Sequence, residues 1–287
     1  MTSPDVQLST LPEGWTGRNV IYDGKKLRLE YTGPAKPDKV LVAFPPFDYP
    51  FESEDGGWGS RSFTKRKIAH VSVFHRDEDW HQHDEFIVAM AACREFFGPK
   101  PQLTAYGFSM GGYGALLGAQ ALDATRAIAV SPQSSIDPAA VRFERRYGEQ
   151  WAKMEGWHHD LGAHLDDTRA YIVLVDPLHR PDKKHETRLP KPSNYTRVLL
   201  HGAGHAGIQS IVEMGQSEAL FDLLRGDISA NDMRKAYRAG RTDGFRYVRK
   251  VGTTLHEKNK IAARVYYGIA REKDFRRLLK KWRPFYK

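Results

Sequence analysis

Cysteine is almost missing: Cys93 is the only one in 287 residues. No disulfide can form within the chain, which fits a reducing compartment. Long apolar runs are missing too, none approaching the roughly 18 residues of a membrane-spanning helix. The opening residues Met1-Thr2-Ser3-Pro4-Asp5 lack the basic start and apolar core of a secretory leader, so a cytoplasmic location is expected. There is no internal repeat and no low-complexity tract. Acidic residues are scarce beyond position 227, where eight Lys and ten Arg face five Asp and Glu, a net of +13 against +9 for the whole chain. The first 227 residues are therefore mildly acidic, and the basic character belongs to the end of the chain.

What remains is a globular composition, 40% hydrophobic with a mean hydropathy of −0.58. The length suits one large α/β domain over residues 1–227 and a basic helical domain over 228–287. Residues Arg18 to Tyr31 predict a β-hairpin turning at Asp23-Gly24. Continuous apolar strands are expected at Lys39 to Phe44, Lys67 to Phe74, Leu103 to Tyr106, Ala127 to Ser131, Tyr171 to Val175 and Arg197 to Leu200. Helical spacing falls between them, at Asp84 to Phe97, Ala115 to Leu122, Lys183 to Leu189 and Gly207 to Leu224. Such alternation predicts a mostly parallel sheet wound with helical crossovers. An aromatic, helical insertion over 136–165 interrupts it where a lid would sit. Three further helices, 232–240, 244–257 and 258–281, are expected in the basic tail.

The chemistry centres on Gly107-Phe108-Ser109-Met110-Gly111, with an apolar strand before it and a small-residue helix after it. Glycine at both ends permits a sharp strand-to-helix turn that lifts the serine above the sheet edge. A serine hydroxyl needs a base to become a nucleophile. The last predicted strand runs into His201-Gly202-Ala203-Gly204-His205, a flexible loop with two histidines. A carboxylate should orient the base, and the preceding strand ends at Asp176, with Asp182 six residues on. Asp182 also suits a helix N-cap, and Asp176, at the end of a rigid strand, is preferred.

These residues, in the order Ser, Asp, His, resemble the α/β-hydrolase family of serine hydrolases, over roughly Lys39 to Leu224. The resemblance implies an α/β-hydrolase-type sheet flanked by helices, with Ser109 as nucleophile and His205 as base, His201 being second choice. It places one oxyanion donor at the backbone N–H of Met110. The second should come from the loop after Phe44, but Pro45 and Pro46 have no N–H, so it falls to Phe47 or Asp48. Phe44, Phe108, Trp58 and Trp157 are the expected substrate-binding residues. The implied reaction is hydrolysis of a carboxylic ester, such as an acylated carbohydrate or another polar conjugate, without cofactor or metal. An acyltransferase on the same fold, or a non-catalytic scaffold, are the alternatives. His81-Gln82-His83, beside Asp77, Glu78 and Asp79, reads as a solvated loop rather than a metal site. The basic tail reads as a helical appendage contacting protein, or as a surface for an anionic partner.

Overall fold

In a computed structural model the chain is described at residues 11–51, 56–241, 243–256 and 261–272, except 263, 267 and 270. The hairpin forms from β1 (Trp15–Asp23) and β2 (Leu27–Pro34). Then follow β3 (Lys39–Phe44), α1 (Ser60–Lys65), β4 (His70–His75), α2 (Asp84–Phe97), β5 (Gln102–Phe108), α3 (Met110–Gly118) and β6 (Arg126–Val130). After a largely irregular stretch holding α4 (Gly148–Trp151) and a 3-10 turn (Leu161–Ala163) come β7 (Ala170–Val175), α5 (Arg180–Arg188) and β8 (Tyr195–Leu199). The chain continues through α6 (Gly207–Glu213), α7 (Ser217–Arg225), α8 (Ala230–Gly240) and α9 (Phe245–His256).

The strands form one eight-stranded, mostly parallel sheet in the order β1-β2-β4-β3-β5-β6-β7-β8. The hairpin end is antiparallel: β2 runs against both β1 and β4, whereas β3 pairs in parallel with β4 and β5, and β5 with β6. Phe44 of β3 lies beside Gly107 of β5, and Phe108 beside Val130 of β6. The carboxyl ends of three central strands therefore share one rim, the place where open α/β sheets bind ligands.

Two compact units divide the chain, 1–173 with 184–197, and 174–183 with 198–287. The core of the first joins β2 through β6 with α2 and α3, and every residue of α3 is buried. In the second unit Tyr237 and Met233 of α8 are buried, and the Tyr237 hydroxyl donates to the carbonyl of His201 (3.0 Å). The basic helices α8 and α9 thus lie in the same unit as the loop after β8. The third expected tail helix, 258–281, falls largely outside the described residues; its described positions between 261 and 272 are helical. Among the described residues no helix is long and apolar enough to cross a membrane.

Three local expectations fail. The insertion expected to be helical over 136–165 holds only α4 and the 3-10 turn. The helix expected from Gly207 to Leu224 is two helices, broken at Gly215, whose φ of 70° is left-handed. Of the residues expected as a solvated loop, His81 and Gln82 are buried, at most 7% exposed, and His83 is half-buried; the His81 ring stacks on Phe86 at 4.6 Å. Burial drives His81 well below the usual histidine range, so it packs as a neutral aromatic.

Candidate active site

Ser109 occupies the single-residue turn between β5 and α3, with φ 57° and ψ −117°. A side-chain-bearing residue held at such angles is strained, and surrounding contacts must enforce it. They do so on both sides of the turn. The Ser109 N–H donates to the Val130 carbonyl (2.9 Å), and its own carbonyl accepts from Tyr113 (3.2 Å). A Cβ on Gly107 would lie 1.9 Å from the Gly111 carbonyl oxygen, and one on Gly111 would lie 2.1 Å from that of Phe44. Neither position admits a side chain. Ser109 is only 3% exposed, and its hydroxyl lies 3.4 Å from the side-chain oxygen of Gln133, which also accepts from Trp80 Nε1 (3.0 Å). Neither Gln133 nor Trp80 is assigned a role at the serine from the sequence. They carry no motif, and only the return of β6 beside β5 brings Gln133 to the serine.

Met110, buried, opens α3, where a helix has backbone N–H groups without intrahelical partners. Of the two residues considered after the Pro-Pro pair, Asp48 has its N–H taken by the Glu78 carboxylate. The Phe47 ring stacks on Trp80 at 5.8 Å and meets Tyr147 edge-on at 5.3 Å.

In the second unit the loop after β8 carries His205. Its Nδ1 donates to the Asp182 carboxylate, at 2.9 Å from one oxygen and 3.1 Å from the other. Asp182, in the first turn of α5, is 1% exposed. Burial raises its pKa, but the imidazoles of His179 and His205 outweigh that and hold the carboxyl far below the usual range. Asp176 stands elsewhere in the network. Its oxygens accept the backbone N–H groups of Leu178 (2.9 Å) and Gly204 (2.8 Å), so it ties the end of β7 to the histidine loop without touching the imidazole. His201 contributes its carbonyl to Tyr237. His179, which sequence reasoning passed over, places its Nδ1 3.0 Å from Asp182 Oδ1. Its place three residues before Asp182, just ahead of α5, is its only local signal.

The expected substrate-binding aromatics scatter. Phe44 is fully buried, its ring against Phe86 and His81, so it presents no surface to a ligand. Trp58 stacks on Tyr106 at 5.2 Å, and Phe108 is half-buried. Trp157 lines a cavity of about 270 Å³ in the first unit, together with Ser134, Asp137, Asp160 and Arg188.

No protein-family model matches the chain, and no curated protein does. Solved structures are similar in fold. The capsule O-acetyltransferase of Neisseria meningitidis serogroup A, in complex with caged gadolinium, aligns at 14% identity over 75% of this chain and 99% of that one, with a TM-score of 0.51. The apo form of Thermogutta terrifontis esterase 2 aligns at 15% identity over 74% and 92%, TM-score 0.47. Est1E from Butyrivibrio proteoclasticus aligns at 12% over 73% and 98%, TM-score 0.46. By its strand order, its parallel centre and its likeness in fold to the first of these structures, the chain has the α/β-hydrolase fold.

Proposed function

We propose that the chain is a serine hydrolase that cleaves a carboxylic ester through an acyl-serine. The observation that carries this reading is the strained backbone of Ser109 in the β5–α3 turn, since strain of this kind persists where it serves a mechanism. The His205–Asp182 pair supports it from the chemical side. Ser109 Oγ attacks the ester carbonyl, and its proton passes to His205 Nε2. The Nδ1–H of the same ring stays on Asp182, which stabilises the imidazolium. The N–H groups of Met110 and Phe47 hold the oxyanion, as preorganised donors do at little cost of reorganisation. Collapse breaks the ester C–O bond, and the alcohol leaves with the proton from His205. Water then repeats the sequence, giving the acid and restoring Ser109. Asp182 is the acid in this scheme, and Asp176 anchors the loop.

We extend the reading to a polar ester such as an acylated sugar; a cavity lined by Trp157, Ser134, Asp137, Asp160 and Arg188, separate from the serine turn, offers the aromatic face and polar groups that suit a sugar. A fluorophosphonate probe should label the native chain at Ser109. Ser109→Ala should lose the label and lower p-nitrophenyl acetate turnover by on the order of 10⁴-fold or more, with an unchanged melting temperature. A native chain that neither labels nor turns over ester would overturn the reading. Appearance of a new ester when an alcohol is added would assign the same acyl-serine to a transferase.

A further inference from the structure

Asp182 is approached by two imidazoles, where orienting a base requires one. His179 Nδ1 and His205 Nδ1 lie 3.0 and 2.9 Å from the same oxygen, Oδ1. One ligand atom from each of the three residues falls within 4.8 Å of the other two. The Asp182 side chain is completely buried, and the two histidines are 30% and 24% exposed, so the cluster has a closed floor and an open mouth. His179 Nδ1 is buried and lacks a hydrogen-bond partner among the described residues, although a carboxylate oxygen stands 3.0 Å away. A buried ring nitrogen at contact distance from a carboxylate but off its hydrogen-bond line needs an explanation.

A divalent transition metal supplies one. Zinc binds imidazole nitrogen at about 2.0–2.1 Å and carboxylate oxygen at about 2.0–2.2 Å, which sets tetrahedral ligands roughly 3.3 Å apart. The separations from His179 and His205 to Asp182 are within a few tenths of an ångström of that. Two imidazoles and one carboxylate, with a solvent-facing fourth position, form a donor set that zinc favours. We propose that His179, Asp182 and His205 form a zinc site that reversibly switches off the base.

The mechanism rests on the assignment of His205 as that base. A metal ion needs the Nδ1 lone pair of each neutral ring, so each Nδ1 proton must leave as Nε2 takes one up. No net proton is released. His205 Nε2 then carries hydrogen and cannot accept the serine proton, while Nδ1 is held by the metal. His179 is the residue that makes the difference, because a histidine–aspartate pair alone offers only two ligands.

The test uses the full-length chain stripped with EDTA. Titration with Co²⁺ should give the visible bands of a four-coordinate ion, and calorimetry should find one Zn²⁺ per chain. His179→Ala should weaken both by about tenfold or more. His179→Phe, which keeps the ring volume, should do the same and guards against a folding defect, checked by fluorophosphonate labelling. p-Nitrophenyl acetate turnover of the native chain should fall with zinc at the same midpoint as binding and return with EDTA. Each His179 variant, scaled to its own metal-free rate, should be insensitive over that range. Ser109→Ala should bind Co²⁺ as the native chain does. An active esterase that binds no metal, binds it equally without His179, or is unaffected or stimulated by bound zinc would overturn the proposal. A chain without esterase activity that still binds Co²⁺ through His179 would instead overturn the assigned function and leave the metal site standing.

Discussion

At the scale of single residues, two buried aspartates divide the labour that sequence reasoning assigns to one. Asp176 and Asp182 are equally hidden, each 1% exposed, yet one spends its oxygens on backbone N–H groups and the other on an imidazole. Asp182→Asn should therefore keep the fold and lower kcat for p-nitrophenyl acetate by on the order of 10³ to 10⁴-fold, because the amide no longer fixes the tautomer and charge of His205. Asp176→Asn should act mainly on the histidine loop, appearing as a lower melting temperature with a smaller kinetic loss. The opposite ranking of the two kcat values would exchange the roles. Position along a strand indicates which carboxylates reach the rim of the sheet. It carries no record of where their lone pairs turn, which is why Asp176 looked the better choice.

Elements were legible where local chemistry and tertiary demand agree. α2 runs from Asp84 to Phe97 as its spacing predicts, with acidic residues in its first turn and Gly98 ending it at φ 65°. The serine turn was legible because no side chain fits at Gly107 or Gly111. Gly111→Ala should therefore be among the most damaging small changes available. Its Cβ would meet the Phe44 carbonyl, a backbone atom that cannot rotate away, so a loss of about 3 kcal/mol or more in urea denaturation is expected. A loss under about 1 kcal/mol would mean that β3 and α3 can separate without penalty. The burial of His81 and Gln82 is not legible in the sequence for the complementary reason. Their local signal is the neighbouring acid, Asp77 to Asp79, while their burial comes from Phe44, Phe86 and Tyr113, contributed by β3, α2 and α3.

For the molecule as a whole, acid stability should be governed by histidines rather than by carboxylates alone. Burial pushes His70 down to about 4, against a smaller opposing effect from its bond to the Ile68 carbonyl, and pushes His75 down to about 4. In the unfolded chain both return to about 6.5. The unfolded state therefore binds more protons between these values. The stability these neutral rings contribute is fully present above about pH 6.5 and is lost as pH falls toward 4. Urea denaturation should show stability declining through that window by on the order of 1.4 kcal/mol per pH unit for each histidine. His75→Gln should make the decline shallower. A profile flat from pH 7 to 4.5 would refute this account.

The lone thiol noted at the outset has a consequence for anyone handling the protein. Cys93 is fully enclosed on α2, and burial lifts its pKa to about 12, so in the folded chain it offers neither access nor thiolate. Alkylating reagents meet it only when the first unit opens. The molecule thus carries one silent internal clock, and the rate at which a maleimide consumes that thiol counts its excursions from the native state.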